Sequence, residues 1–231
     1  MSQIMGLDSR LVEHTVSGVG VIDKSFSILQ LVVEGPSSLA EICGGTGLSR
    51  ATAHRLAVAL EAHGMLRRTG DGRFALGLHL VALGRAAAVQ FPLAEVARPA
   101  MEELREATGE SVQLYVRDGD ERVCVAAIES SHGLRTIVAV GAVLPMDRGS
   151  AGRALSGERT RGGWIETVGE REAGVVSVSA PVHDHDGRVL AAVSVSGPIG
   201  RLGRSPGRRY GSEVVAAAEA VARAALGQSA M

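Results

Sequence analysis

The amino-acid sequence predicts an α+β chain, in which a small helical part closed by a hairpin precedes a larger part built on a central antiparallel sheet. Three observations predict this arrangement. Apolar residues recur at helical spacing up to residue 63, and an Asp-Gly turn divides two short alternating runs near residue 71. Alternating runs rich in valine and serine then follow residue 110.

The composition is that of an ordered globular chain. It has 231 residues, 45% of them hydrophobic and 21% charged, with a net charge of −1. No run of about 18 apolar residues and no signal-peptide pattern occurs, so we expect a cytoplasmic protein without membrane contact. Cys43 and Cys124 stand apart in apolar runs, which favours buried thiols over a disulfide or a metal site.

The first two helices follow a tail over residues 1–19 that has no apolar period. The first helix is predicted over 21–34 and is ended by Gly35-Pro36. Its predicted inner face is Ile22, Phe26, Leu29 and Val33. A capping box from Ser38 to Glu41 begins the second helix, which a glycine-rich turn over 44–47 should end.

The third helix begins after Ser49 and carries cations on one side. The inward stripe is Ala53, Leu56, Ala57, Leu60 and His63, and the outward side is Arg50, Ala51, His54, Arg55 and Val58. No acidic residue occurs on this helix before Glu61. Such an outer face is typical of a helix whose N-terminal half meets DNA phosphates and base edges.

A basic hairpin completes this part of the chain. Runs over 66–69 and 73–76 flank Asp71-Gly72 and carry Arg67, Arg68 and Arg73. Residues 49–74 have a net charge of +3 although the whole chain is near neutral. The pattern favours a winged helix-turn-helix that binds double-stranded DNA, and the alternative is a small helical bundle without a ligand.

A sparsely charged helix is predicted next, over 76–90, with Leu80, Leu83 and Ala87 on one stripe. This stripe must be covered either by a partner chain or by the chain itself, and the sequence leaves both possibilities open. A partner chain would suit DNA half-sites one helical turn apart.

The larger part begins at Pro92. A helix with Leu93, Val96, Ala100, Leu104 and Ala107 on its inner face should end at Gly109. Strands are predicted over 111–117, 122–129, 136–140, 174–182 and 188–196, a short helix over 149–155, and a final helix over 206–226.

Four serines mark a candidate ligand site in this sheet. Ser177 and Ser179 share a face of one strand, and Ser194 and Ser196 share a face of the next. A two-residue turn at Asp186-Gly187, or at His185-Asp186, would place both pairs on one face. These hydroxyls could orient a carboxylate or an amino acid, or they could form a solvated outer face. Ser150-Ala151-Gly152 opens a helix and adds free N–H groups that favour an anion.

No enzymatic or metal chemistry is predicted. The run from His183 to Asp186 is better explained as a polar turn, because consecutive turn residues rarely converge on one ion. Catalytic elbows, zinc motifs and phosphate loops are absent from the sequence, so we expect no catalytic residue and no cofactor. A metabolite-binding module without a DNA role, and a small-molecule enzyme, stay as alternatives.

Five segments resemble the IclR family of bacterial transcriptional regulators, in the family's order and over nearly the whole chain. They are GLSRATAHRLAVALEAHGML, RFALGLHLVALG, LPMDRGSAGRAL, GEREAGVVSVSAPV and RVLAAVSVSGP. The resemblance implies a winged helix-turn-helix over 20–77, a linker and dimerisation helix over 78–91, and a GAF-like effector domain over 92–231. The wording of DKSFSILQ, TAHRLAVALE and GEREAGVVSVSAPV is similar to actinobacterial regulators of leucine and other amino-acid biosynthesis.

The resemblance also implies partners and site residues. The implied partners are operator DNA, a small effector (an organic acid or amino acid), and further copies of the chain in a homodimer or dimer of dimers. The implied DNA contacts are Ser49, Arg50, Thr52, Arg55 and the wing arginines. The implied effector pocket is formed by Leu144, Met146, Ser150, Ala151, Ser177, Ser194 and Ser196. Residues 156–163 depart from the family pattern, because they replace a longer helical insert.

Overall fold

The computed structural model of the chain describes residues 17–228, so most of the tail predicted over residues 1–19 lies outside the described part. The chain divides into two compact units, residues 1–91 and residues 92–231. Within the described residues, no single helix is long and apolar enough to cross a membrane, and only the helices His79–Gln90 and Leu93–Thr108 taken as a pair reach that length and composition.

The N-terminal unit is a three-helix core with a two-stranded wing. Its elements are α1 (Gly20–Val33), α2 (Leu39–Thr46), α3 (Arg50–Ala62), β1 (Leu66–Arg68), β2 (Phe74–Leu76) and α4 (His79–Gln90). β1 and β2 are antiparallel, with Leu66 opposite Leu76. The buried side chains come from all three core helices and both strands, and they are Ile28, Val32, Ile42, Ala53, Leu56, Ala57, Leu66 and Phe74.

The predicted inner face of α1 is wrong. Ile22, Phe26 and Val33 are exposed, whereas Ile28 and Val32 are buried. The helix carries apolar residues on more than one side, and periodicity cannot tell which of these sides packs against α2 and α3. The exposed side leaves an apolar surface on the N-terminal unit.

The second helix extends further than the glycine-rich turn predicted. The capping box of Ser38 and Glu41 is present, but α2 continues through Gly44 and Gly45 to Thr46. A Cβ at Gly45 would lie 1.9 Å from Leu31 Cδ1, so the glycine permits close packing of α2 on α1. Helix α3 ends before His63, which is exposed and does not belong to the inward stripe.

The C-terminal unit is a six-stranded antiparallel sheet with helices on both faces. Its elements are α5 (Leu93–Thr108), β3 (Ser111–Asp118), β4 (Glu121–Ile128), β5 (Val143–Pro145), α6 (Ser150–Leu155), β6 (Ile165–Val168), β7 (Val175–His183), β8 (Val189–Pro198), α7 (Ile199–Leu202) and α8 (Pro206–Gln228). The strand order is β5-β4-β3-β8-β7-β6. Valines of β7 and β8 face α5 and α8, and the opposite face carries the serines and packs against α6.

Two strands were placed wrongly or missed. Residues 136–140 form no strand, and the third strand is β5, where Pro145 pairs with Glu121 of β4. The four-residue strand β6 was not predicted because it is too short to show a period. On α5 the inner face is also shifted, with Ala97 and Met101 buried and Ala107 exposed. The helix of residues 76–90 begins only at His79, since Leu76 belongs to β2.

Candidate functional site

The first candidate surface is the outer side of α3. Arg50, His54 and Arg55 are exposed, and none of them makes a hydrogen bond or ion pair with any residue in the range 17–228. Their cationic and hydrogen-bonding groups are therefore available to a partner. This is the side that the sequence predicted to face DNA.

Ser49 and Thr52 stand at the start of the same helix and already hydrogen-bond to each other. The Ser49 hydroxyl accepts from the Thr52 backbone N–H at 3.3 Å and donates to Thr52 Oγ1 at 3.0 Å. Ser49 is thus the N-cap that starts α3. Its predicted DNA contact would have to be made in addition to this structural role.

The three wing arginines differ in their surroundings. Arg67 is exposed and has no polar partner among the described residues. Arg68 is an ion-pair partner of Glu61 at 3.3 Å, donates to the Gly72 carbonyl at 3.2 Å, and lies 4.2 Å from the centre of the Phe74 ring. Only Arg67 is therefore uncommitted.

Arg73 fastens the wing to the start of α2. Its Nε donates to the Pro36 carbonyl at 2.9 Å, and its Nη2 donates to the Glu41 carboxylate. The Glu41 pKa falls to about 2, first because the Ser38 backbone N–H and hydroxyl hydrogen-bond to the carboxylate and then because of Arg73. A DNA contact of Arg73 stays a prediction, and its observed partners are intramolecular.

The second candidate site is a network of buried hydroxyls in the C-terminal unit. Ser177 pairs with Ser196, and Ser179 with Ser194, across β7 and β8. The four serines have the register that a two-residue turn at Asp186-Gly187 would give. This register shifts between Val182 and His183, and the Asp184 N–H donates to the Arg188 carbonyl, so the turn is longer than the predicted two residues. The four serines share one face, and this face is covered rather than solvated.

Helix α6 closes this network from above. The Ser150 hydroxyl shares hydrogen bonds with Ser177 and Ser179, both at 2.7 Å. Ser179 donates to Ser194 at 2.9 Å, while Ser196 donates to Gln113 Oε1 at 3.0 Å. The hydroxyls of Ser150, Ser177, Ser179 and Ser194 are thereby connected, while Ser196 and Gln113 form a separate hydrogen-bonded pair. Each hydroxyl can donate or accept.

A small pocket opens onto this polar surface. Its lining residues are Tyr115, Arg122, Gly149, Ser150, Ala151, Thr167, Glu170, Arg171, Val175, Ser177, Ser194 and Ser196. The enclosed volume is about 20 Å³, which is room for about one water molecule. Five of the predicted effector residues line the pocket, whereas Leu144 and Met146 are half-buried against the apolar cluster that includes Ala151.

Arg122 is the pocket residue that sequence reasoning missed. Its side chain is only 2% exposed and makes no ion pair within the described part of the chain. Nη1 donates to the carbonyls of Pro145 and Arg148, and Nε is buried without a hydrogen-bond partner. Burial lowers the pKa of the guanidinium, and the charge of Arg171 lowers it further. The available signal was an arginine on the inward face of β4, beside Cys124.

Glu170 and Arg171 lie on the connection between β6 and β7. The Glu170 carboxylate accepts from the Gly149 backbone N–H at 3.0 Å and from Arg153 Nη1 at 3.4 Å. Arg171 Nη2 lies 3.9 Å from Oε2 of Glu172, the next residue in the chain. The Glu170 carboxylate is therefore already hydrogen-bonded to other groups. The two guanidinium groups of Arg122 and Arg171 leave the pocket with an excess of positive charge.

The polar turn between β7 and β8 holds the only potential metal-ligand group found within residues 17–228. The ligand atoms of Asp184, His185 and Asp186 lie within 4.8 Å of one another. Asp184 Oδ1 accepts from the backbone N–H groups of Asp186 and Arg188, both at 2.8 Å, and the Arg188 bond is the largest cause of its lowered pKa. These hydrogen bonds give Asp184 a structural role in stabilising the turn.

Two family profiles match the chain. The profile described as "IclR helix-turn-helix domain" matches residues 21–70. The profile described as "Bacterial transcriptional regulator IclR C-terminal" matches residues 85–162 and 158–223, which is more than half of the chain. The chain belongs to the IclR family. It is a DNA-binding transcriptional regulator and not an enzyme, because the matched domains and relatives are regulators.

Curated IclR relatives match over most of their length. The HTH-type transcriptional regulator KipR of Bacillus subtilis (strain 168) is 28% identical over 210 residues, covering 75% of this chain and 84% of KipR. The transcriptional repressor IclR of Escherichia coli (strain K12) is 25% identical over 241 residues, covering 87% of this chain and 88% of that repressor.

Solved structures of IclR proteins share the fold. The Thermotoga maritima IclR structure has a TM-score of 0.70 at 23% identity and covers 88% of this chain and 98% of its own. An IclR homolog from Microbacterium hydrocarbonoxydans, solved with 4-hydroxybenzoate, has a TM-score of 0.73 at 21% identity and the same coverages. The α+β fold predicted from the sequence is therefore confirmed.

Proposed function

We propose that a small polar metabolite binds the pocket above the serine face and changes the affinity of this IclR-family regulator for its operator. The observation that carries the proposal is the buried network linking Ser150 to Ser177, Ser179 and Ser194. A purely structural sheet face would be cheaper to build from apolar residues, because buried hydroxyls must all find partners. The bound 4-hydroxybenzoate of the Microbacterium homolog lends support to an organic-acid effector.

The pocket must enlarge to admit such a ligand, since its volume is about 20 Å³ and a metabolite needs several times the space of one water molecule. We propose that the exposed connection between β6 and β7 moves, which requires the Glu170 hydrogen bonds to Gly149 and Arg153 to break. An effector that fits only the enlarged state shifts the balance between two states by its differential binding free energy.

For DNA, we propose that Arg50, His54 and Arg55 contact base edges and phosphates, with Ser49 and Thr52 at the helix start. Their exposure and lack of intramolecular partners support this assignment for the first three. In the wing, we propose Arg67 as the main DNA contact, because it is exposed and has no polar partner among the described residues. Arg68 and Arg73 would have to exchange or share the partners described above.

We further propose that two copies associate through the N-terminal unit, with dimers of dimers as a higher state. Helix α4 has no buried residue, and Leu78 and Val89 are 77% and 80% exposed. Phe26 of α1 is 60% exposed. Exposed apolar side chains of this kind are typical of an interface, and a two-fold dimer would present two α3 helices to operator half-sites.

The test begins with a thermal-shift screen of organic acids and amino acids, followed by gel-shift titration with the DNA upstream of the gene. We expect Ser194→Val to abolish the effector response and to leave operator affinity unchanged in the absence of effector. Ser212→Val, at an exposed site on α8, is the matched control and should respond normally. Calorimetry showing the same metabolite affinity in Ser194→Val as in wild type would refute the serine-face site.

The pathway under control is a separate proposal. The similarity of DKSFSILQ, TAHRLAVALE and GEREAGVVSVSAPV to actinobacterial regulators supports a role in leucine or other amino-acid biosynthesis. Measuring transcripts of those genes in a deletion strain tests it, and unchanged transcripts would rule it out.

A further inference from the structure

Arg122 carries a buried charge that has no ion-pair partner within the described part of the chain. Only 2% of the residue is exposed, yet no carboxylate within residues 17–228 forms an ion pair with it. Its contacts with Pro145 and Arg148 are to neutral carbonyl groups. Burying an unpaired charge is costly, so proteins usually pair such a charge or use it in a function.

The hydrogen-bonding capacity of this guanidinium is also incomplete. Nη1 donates two hydrogen bonds, whereas neither Nη2 nor the buried Nε has a hydrogen-bond partner among the residues that the structure describes. The face of the Tyr115 ring lies 5.5 Å from the guanidinium carbon and offers only a weak cation–π contact. Two neighbouring N–H groups, Nε and Nη2, form the edge of a guanidinium that suits the two oxygens of a carboxylate.

The remaining charges near the pocket favour an anion as well. Arg171 also lines the pocket, and its own carboxylate neighbour Glu172 lies outside the lining. Glu170 is held by Gly149 and Arg153, so it does not neutralise Arg122. An ammonium group on a ligand would meet two guanidinium groups, and a carboxylate would relieve their repulsion.

We propose that Arg122 is the anion-binding residue of this pocket and selects effectors that carry a carboxylate at one end and neutral hydrogen-bonding groups at the other. The carboxylate pairs with the Nε and Nη2 edge, while hydroxyl or keto groups meet the serine face. The inference rests on the proposed effector role of the pocket. It adds that hydroxy acids and keto acids bind in preference to amino acids and neutral amides.

The test uses formate and acetate, the smallest carboxylates, with formamide and acetamide as neutral counterparts at matched ionic strength. Heteronuclear NMR of protein labelled with ¹⁵N-arginine follows the arginine side-chain resonances during titration. We expect formate and acetate, but not the amides, to shift a resonance that Arg122→Lys removes. The melting temperature should rise by a few degrees when the formate concentration is about ten times its dissociation constant.

Three variants separate the possible outcomes. Arg122→Gln should weaken formate binding at least about tenfold, the loss typical of one charge-assisted contact. Because Arg122→Gln could disturb folding, Arg122→Lys retains the charge and should bind formate more weakly than wild type but better than Arg122→Gln. Ser194→Ala should retain formate binding, because the carboxylate contacts lie at the Arg122 end of the pocket.

The inference is overturned if formate leaves the wild-type arginine resonances unchanged, or if Arg122→Gln binds formate as wild type does. The proposed function has a different failure. If formate binds at Arg122 but no metabolite changes operator affinity, the anion site stands and the regulatory role falls. If a neutral metabolite changes operator affinity through Ser194 alone, the regulatory role stands and the proposed selection for carboxylates falls.

Discussion

The Arg73 guanidinium donates through Nη2 to both carboxylate oxygens of Glu41, at 2.9 and 2.6 Å. This pair joins the returning strand of the wing to the first turn of α2. A cation of the wing can therefore stabilise the domain itself. Among the residues that the structure describes, Arg68 and Arg73 have polar partners and Arg67 has none.

We expect Arg67→Ala and Arg73→Ala to weaken operator binding in different ways. Arg67→Ala should leave the melting temperature unchanged and reduce the slope of log affinity against log salt by about 1, because one phosphate contact is lost. Arg73→Ala should lower the melting temperature of the N-terminal unit. Salt titrations of operator binding and thermal unfolding measure the two effects. If Arg73→Ala instead reduces the slope of log affinity against log salt and leaves the melting temperature unchanged, Arg73 contacts DNA.

The pH dependence of stability should report Glu41. Its folded pKa of about 2 lies below its ordinary value of 4.5, so its stabilising contribution is full above pH 4.5 and is lost as the pH falls towards 2. The difference in melting temperature between wild type and Glu41→Gln should therefore shrink over that window. Arg73→Ala should keep most of this pH dependence, because the Ser38 N–H is the largest cause. A constant difference from pH 6 to 2.5 would contradict the assignment.

Arg55→Ala should cost about 1–3 kcal/mol of operator binding and relax the sequence preference, as expected for a residue that reads a base. Arg204→Ala, at an exposed position of the C-terminal unit, is the control and should bind normally. Gel-shift titration against the operator and single-base variants makes the comparison. Wild-type affinity and specificity in Arg55→Ala would remove the residue from the interface.

Val81→Glu should weaken self-association, because it places a charge on the exposed apolar side of α4. Operator affinity should fall by at least about tenfold, since two half-sites can no longer be bound together. Sedimentation velocity and gel shift provide the measurements. Leu190→Glu, on β8 of the other unit, is the control. Unchanged association and affinity in Val81→Glu would place the interface elsewhere.

Gly152→Ala should destabilise the C-terminal unit by about 1–3 kcal/mol, as for other overpacked sites. Its added Cβ would lie 2.3 Å from the Met146 carbonyl oxygen and 2.8 Å from Arg122 Nη1. Gly200→Ala has open space around it and should be neutral or slightly stabilising. Denaturant unfolding compares them, and equal stabilities would mean that the loop before α6 relaxes freely.

Much of the fold was predictable because its signals are local. The capping box of Ser38 and Glu41 fixed the start of α2, the Asp-Gly turn marked the wing, and alternation placed the serines on one face. The inner side of α1 was not predictable, because Ile22 and Ile28 are equally apolar and only packing distinguishes them. The short strand β6 and the shift from 136–140 to β5 depend on pairing partners distant in sequence.

The candidate site was predictable to the extent that its residues alternate on strands. Ser177, Ser194 and Ser196 could be grouped from spacing alone, and their grouping is observed. Arg122 was missed because an arginine in a strand ordinarily points to solvent, and its burial depends on the sheet order that places β4 beneath the loop before α6.

The hydroxyl network has a consequence for how such a pocket changes its ligand during evolution. Ser150 can be donor or acceptor towards both Ser177 and Ser179, so protons can reorder without any movement of heavy atoms. The serine face therefore accommodates ligand groups of either hydrogen-bonding polarity. Discrimination then falls to position 122, where a single codon change could recruit a chemically new signal while the sheet, the helices and the DNA-reading unit stay as they are.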